Sequence, residues 1–275
     1  MAKKKDKKNK QSEILNPMQG PFIKVKDKNL SLEERIYALP PYTHDFNMNR
    51  QYQLEKAGLW EKYEQEFILT MYVEDYDFDT GRKIDHTYVG VFNEEIEKQY
   101  LNINRVSISK RSNVEYQPGP LQIISGCIIT SPSFIAVLKS TAGRLEGKLT
   151  MAQGHVDYDP SFVLCKDLTS YVRKNAIREL SEEVKIKDGN LLDDITVSEK
   201  PKYVINKYGS LIDIEHIGFV FEATMSDEDI LKLKSNEKDK HDIFIVNKES
   251  LIEEGVDAYP FDSWTEDVMT MIISE

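Results

Sequence analysis

Arg178-Glu179-Leu180-Ser181-Glu182-Glu183 is the stretch from which the rest of the chain is read. Around it, between Asp167 and Ile186, the apolar residues Val172, Ala176, Leu180 and Val184 recur every fourth position and so form one stripe of a helix. On such a helix Glu179 and Glu183 stand one turn apart, with Glu182 three residues after Glu179, so the three carboxylates project from one face. Leu180 and Val184 turn toward the core. Like charges crowded on one face repel, and a hard divalent cation, Mg²⁺ or Mn²⁺, is what such a set of oxygen ligands favours. The plainer alternative is a Glu-rich solvated face in which Arg178 and Glu182, four apart, form an ion pair worth a few tenths of a kcal/mol. The pattern Arg-Glu-apolar-x-Glu-Glu arises by chance in roughly one chain of this length in several hundred.

Working outward, Gly154-His155-Val156-Asp157 lies upstream at the end of a strand expected over Leu149–Val156. Leu121–Thr130 and Phe134–Lys139 are apolar runs separated by Ser131-Pro132-Ser133, which predicts a buried hairpin. Downstream, Tyr203–Ile205, Leu211–Ala223 and Ile243–Val246 read as strands, and Ser263-Trp264-Thr265-Glu266 reads as a capping box that opens a last helix to Ile273. On the N-terminal side, Ser31-Leu32-Glu33-Glu34 starts a capped helix and Tyr52–Phe67 carries apolar residues partly at helical spacing. Phe67–Tyr76 and Ile84–Phe92 then form a hairpin about the turn Asp79-Thr80-Gly81. The order of elements predicts an α+β protein, a mixed sheet with helices packed on it. Its division is a Lys-rich tail over 1–30, an α+β lead-in over 31–104 and a main domain over 105–275.

Composition narrows the function. The chain has 275 residues, 40% hydrophobic and 30% charged, and no stretch approaches the roughly 18 apolar residues of a membrane span. The charged start Met1–Lys10 is followed by no apolar run, so the expected location is cytoplasmic. A formal charge of −11 argues against broad nucleic-acid binding, apart from contact by the tail, for which a solubilising terminus is the plainer role. A polyanionic substrate would need a metal to draw it in. Cys127 and Cys165 lack metal-ligand spacing and read as reduced thiols, at least one in the core.

Taken together these residues resemble the Nudix hydrolases, whose box reads Gly, spacer, Glu, spacer, Arg-Glu-apolar-x-Glu-Glu-x-Gly-apolar. Gly154 and Arg178–Glu183 match its two ends. Arg111, Glu115, Gln122-Ile123-Ile124, Gly143-Arg144-Leu145, Glu215-His216-Ile217-Gly218 and Asp262-Ser263-Trp264 extend the likeness toward a predicted-phosphoesterase branch of that family. The resemblance implies the Nudix α/β/α sandwich, a Mg²⁺ or Mn²⁺ cofactor, and cleavage of a pyrophosphate bond in a nucleoside diphosphate linked to another group. It implies Glu179, Glu182, Glu183 and the Gly154 carbonyl as metal ligands, Glu182 or Glu183 in catalysis, and Arg178 as the residue that orients the carboxylates. Bases from outside the box would be Glu215, Glu222 or Glu237, with a charged surface as the alternative for each. His155 could contact the phosphate or carry a proton, with a hydrogen-bonded structural histidine as the alternative, and His216, in an apolar strand, reads first as a buried, satisfied histidine. A nucleotide would be read by the lead-in and the loops near Asn206–Ser210 and Ser235–His241. A homodimer is also compatible with the resemblance.

Three departures stand out. The family's spacer from Gly to Arg is 14 residues, whereas Gly154 to Arg178 spans 24, an insertion around Asp159–Leu168. Ser170 stands where the box has its first Glu, so Arg178 needs another partner among Asp157, Asp159 and Asp167. Lys185 replaces the late Gly, and the helix is expected to run on toward Gly189. A non-catalytic nucleotide-binding module of the same fold is the competing class.

Overall fold

The computed structural model describes residues 51, 54–56, 58–71, 76–77, 82–83, 88–115, 121–141, 145–165, 167–186, 191–206 and 216–275. The tail, the Ser31 helix, the Asp79-Thr80-Gly81 turn, Gly143-Arg144, Gly189, Glu215 and most of the Asn206–Ser210 loop lie outside them. In chain order the elements are α1 (Trp60–Gln65), β1 (Phe67–Met71), β2 (Tyr76–Asp77), β3 (Arg82–Lys83), β4 (Tyr88–Val91), α2 (Glu94–Tyr100), β5 (Val106–Lys110), α3 (Arg111–Val114), β6 (Leu121–Thr130) and β7 (Phe134–Ser140). Then follow β8 (Leu149–Thr150), β9 (Ala152–His155), α4 (Leu168–Glu183), β10 (Val184–Ile186), α5 (Leu191–Asp194), β11 (Thr196–Val197), β12 (Tyr203–Asn206) and β13 (His216–Thr224). The last are α6 (Asp227–Ile230), β14 (Leu233–Ser235), β15 (His241–Asn247), α7 (Lys248–Glu254) and α8 (Ser263–Ser274).

The main sheet runs β15-β7-β6-β13-β12-β4, with β1 and β9 also bonded to β6. β6 is buried along its whole length, as a central strand covered on both faces must be. Its side chains divide two cores by simple alternation. Leu121, Ile123, Cys127 and Ile129 pack with Val172, Ala176 and Leu180 of α4. Ile124 and Ile128 pack with Trp264, Val268 and Met269 of α8. The sheet is therefore filled between one helix on each face. It is mixed, since β6 pairs parallel with β13 and antiparallel with β9 and β7, and the mixed sheet with packed helices expected from the element order is what the chain forms. Among the described residues, no helix is long and apolar enough to cross a membrane.

The strands expected to form a hairpin over Phe67–Tyr76 and Ile84–Phe92 pair elsewhere, β1 with β5 and β6 and β4 with β12, leaving only the short β2–β3 pair. Four boundaries also differ from the sequence reading, each for an identifiable reason. The strand expected over Leu149–Val156 splits, because β8 pairs with β7 while β9 pairs with β6. Between them Met151 turns its amide to the Thr265 hydroxyl of α8 at 3.0 Å. The helix expected over Tyr52–Phe67 is stopped at Gly58, whose φ of 72° only glycine adopts freely. There Leu59 N–H donates to the Leu54 carbonyl and Gly58 N–H to that of Glu55, the paired bonds of a Schellman end. The last helix is capped by Asp262, which accepts from Thr265 N–H, so the cap falls one residue before the Ser263 of the expected box. The fourth is the end of α4, described with the site.

Gly218 of β13 lies directly under the Trp264 ring, which a Cβ there would approach to 2.4 Å. The indole thus fills the place of the absent side chain. Gly218→Ala is expected to force the ring aside and lower stability by about 1–3 kcal/mol, read as a shifted urea midpoint; an unshifted midpoint would show that this contact is loose.

Candidate active site

α4 begins on Asp167, whose carboxylate accepts from Thr169 N–H and Ser170 N–H. The helix thus starts on its own N-cap, and its buried stripe orients every other residue on it. It ends at Glu183: Val184 is already extended, with φ −126° and ψ 142°, and leads straight into β10, where Lys185 stands opposite Lys234 of β14. The helix therefore does not run on toward Gly189. Lys185 sits in a strand, where no left-handed glycine is required, and that departure from the box costs nothing.

Arg178 ties the acidic residues together. Its guanidinium reaches Asp157 at 2.8 Å, Glu179 at 2.6 Å and Glu182 at 3.0 Å, and it donates to the His155 carbonyl at 3.3 Å. Asp157 thus takes the place that the box Glu would hold at Ser170. The other two candidates are occupied elsewhere, Asp159 with Lys174 at 3.2 Å and Asp167 as the N-cap. The solvated Arg178–Glu182 pair foreseen as the plain alternative does exist, and Glu182 is 54% exposed. That description does not extend to its neighbours.

Glu179 and Glu183 are each only 13% exposed. Glu179 lies against Gly154 so closely that a Cβ there would come within 2.3 Å of its carboxyl carbon. Only glycine leaves room for this contact. Burial raises the Glu179 carboxyl above its ordinary range, against the pull of Arg178, and Glu182 and Asp157 add to the rise. Burial likewise pushes Glu183 up to about 8, helped by the Glu179 and Glu237 charges and opposed by the Gln153 N–H and Lys240. Glu183 Oε2 is buried with no hydrogen-bond partner. Two buried carboxylates one turn apart, one of them with an orphaned oxygen, fit a divalent cation, whose charge would relieve both.

A cavity of about 430 Å³ opens beside Glu179 and Gly154, and Lys62, Glu66 and Phe67, from α1 to the start of β1, also line it. Arg111 also lines it, its guanidinium 4.1 Å over the Tyr63 ring and paired with Glu66 at 2.8 Å and Glu115 at 2.9 Å. These contacts hold the guanidinium firmly in its charged form. Sequence reasoning singled out Arg111 but not Lys62, which carries no motif and is brought in by α1, packed on α3 and β5.

The remaining candidates separate. His155 is bonded to the Gln122 side chain at 2.8 Å, and burial, with Arg111 and His216 nearby, holds its pKa well below the ordinary histidine value. It is a neutral, hydrogen-bonded ring. His216 is 7% exposed and packs edge-on between His155 and Trp264. Glu222 pairs with Lys202 at 3.2 Å and accepts from Thr130. Glu237 instead comes beside Glu183, together with His241. No residue reading singled out His241; its only signal was a place at the end of the Ser235–His241 loop. Cys127 is a core thiol against the Ala176 carbonyl at 3.7 Å, as expected for one of the two.

No protein-family model and no curated protein matches the sequence. Among solved structures, the chain resembles Tm1382, a protein named as a candidate Nudix hydrolase, with TM-score 0.53 and 18% identity over 76% of this chain and 99% of that one. A mutT/nudix family protein from Listeria innocua is 20% identical over 56% of this chain and 92% of its own, with TM-score 0.39. An Ap4A hydrolase from C. elegans is 15% identical over 56% and 100%, with TM-score 0.36. The first of these establishes the fold, which is that of the Nudix hydrolases; the other two superpose too loosely to add to it.

Proposed function

We propose that the chain is a Nudix-type hydrolase that uses Mg²⁺ or Mn²⁺ to cleave the pyrophosphate bond of a nucleoside diphosphate linked to a further group. The observation that carries this reading is the buried pair Glu179 and Glu183, one helical turn apart, of which Glu179 lies against Gly154 and lines a cavity that also presents Lys62 and Arg111. Glu179, Glu183, Glu182 and the Gly154 carbonyl would hold the metal, which when bound neutralises the bridge and activates water. Arg178 positions Glu179 and Glu182 through its fixed fork of donors. Lys62 and Arg111, which line the same cavity as Glu179, would attract the diphosphate oxygens. Glu182, the most exposed of the acidic residues, or Glu237 would accept the proton from water.

The competing reading, a non-catalytic nucleotide-binding module, drew on the missing box Glu and on Lys185. Both lose weight here, since Asp157 supplies the carboxylate and Lys185 lies in a strand. The experiment is release of nucleoside monophosphate from a panel of nucleoside triphosphates, dinucleotides and nucleotide sugars with Mg²⁺ or Mn²⁺. Turnover is expected with at least one of them, and Glu179→Gln is expected to lower kcat/KM by about a hundredfold or more. Nucleotide binding by calorimetry without turnover on any panel member would establish the binding module instead.

A further inference from the structure

Glu183 faces two ways. Toward Glu179 it belongs to the helix pair just described. On its other side, its carboxylate, that of Glu237 and a ring nitrogen of His241 offer three ligand atoms within 4.8 Å of one another. Glu183 Oε1 lies 3.9 Å from His241 Nε2, and two ligands of one transition-metal ion, each about 2.1 Å from it, stand no more than about 4.2 Å apart.

The scaffold around these groups is fixed by main-chain bonds. β14 pairs with β10 directly after α4, with Ser235 opposite Val184. The next residue, Asn236, donates its backbone N–H to the Glu183 carbonyl at 2.9 Å and its side-chain amide to the Ser181 carbonyl at 2.9 Å. Lys240 and His241 N–H groups both close on the Glu237 carbonyl, at 2.8 and 2.9 Å. His241 then starts β15, opposite Ser140. Glu237 and His241 are therefore held at the C-terminal end of α4 whether or not a ligand is present.

The second observation is what these side chains lack. Glu183 Oε2 and His241 Nδ1 are both buried without a hydrogen-bond partner, and 3.9 Å leaves His241 Nε2 beyond hydrogen-bond reach of Glu183. Buried polar atoms nearly always find a partner. A buried imidazole Nδ1 without a partner, beside a carboxylate oxygen in the same state, is the arrangement a missing ligand leaves. The cation already present is Lys240, bonded to Glu237 at 2.6 Å and 63% exposed, so it can swing into solvent.

We propose that Glu183, Glu237 and His241 form a second cation site, with Glu183 shared between the two, and that this site takes a transition metal such as Mn²⁺, Co²⁺ or Zn²⁺ in preference to Mg²⁺. Imidazole nitrogen sets the preference, because Mg²⁺ favours an all-oxygen, water-rich shell while transition ions accept nitrogen readily. The inference rests on the hydrolase reading only in so far as Glu183 also serves the helix site.

The test uses the full chain, metal-free, titrated with Co²⁺ by visible absorption and with Mn²⁺ and Mg²⁺ by calorimetry. His241→Ala is expected to weaken Co²⁺ and Mn²⁺ binding at this site by about tenfold or more while leaving Mg²⁺ affinity within about twofold. His241→Cys should restore Co²⁺ binding with a new thiolate-to-metal absorption band, which a misfolded variant would not show. Equal Co²⁺ and Mn²⁺ affinities in the wild type and His241→Ala, with no imidazole signature in the Co²⁺ spectrum, would overturn the proposal and leave the helix site untouched. His241-dependent Co²⁺ binding in a protein that hydrolyses no nucleotide would sustain this site and defeat the hydrolase reading.

Discussion

Glu183→Gln is expected to lower metal-dependent turnover by about a thousandfold or more and at the same time to raise the melting temperature of the metal-free protein. The two effects have one cause. In the metal-free state the Glu183 carboxyl titrates near 8 instead of 4.5, so between those values the folded chain holds a proton that the unfolded chain has released. Where the folded state binds more protons, stability falls with rising pH. The contribution is therefore complete below about pH 4.5, declines through the window up to 8 and is level above it, a swing on the order of a few kcal/mol. Gln carries no such proton and should remove the slope. Added Mg²⁺ or Mn²⁺ should restore the wild type most strongly at pH 8 and do little for the variant. Melting curves at pH 5 and 8.5, with chelator and with metal, read all of this; parallel pH slopes for the two proteins would mean that Glu183 is not the strained group.

Leu180→Ala is the largest expected change in stability, about 2–5 kcal/mol. Leu180 is fully buried, between Glu179 on one side and Glu182 and Glu183 on the other. The chain thus packs this acidic segment through a single row of apolar side chains, with Val172 and Ala176 below, all of them at 0% exposure. Truncation opens a cavity against β6 and loosens the residue that aims the carboxylates. Chemical denaturation should show the loss directly. At temperatures where the variant is still folded, metal affinity should fall by less than stability does, because no ligand atom has been removed. A midpoint within about half a kcal/mol of the wild type would place α4 outside the cooperative core.

Much of this was legible in the sequence because two periodicities carry it. The four-residue stripe of α4 and the largely apolar run of β6 are properties of single segments, and each is written in its own residues. The split of β8 from β9 is not local: it depends on which strand each half meets and on Thr265, more than a hundred positions later. The partner of Arg178 was narrowed to three aspartates and decided by geometry, since the chain turns back after β9 and brings Asp157 to the helix. Glu237 was legible as an acid outside the box. His241 was not, because nothing in its neighbours marks a ligand, and only the pairing of β14 with β10 carries it to the end of α4. The lead-in wall of the cavity was hidden for the same reason: Lys62 becomes part of the site through the packing of α1 on α3 and β5.

Strand pairing also dictates when the molecule can assemble. Thr70 and Met71 of β1 are opposite Gln122 and Leu121, and Val91 of β4 is opposite Tyr203. As the chain is synthesised from its N-terminus, β4 emerges well before β12, the strand that completes its hydrogen bonds, and waits with a bare edge ready to pair with any other extended chain. The lead-in thus cannot complete its pairing until Tyr203–Asn206 has been made, although it is made first. Expressed without the residues that follow, it would be expected to aggregate, whereas synthesis of the whole chain turns the delay into a single late closure on β6 and β12.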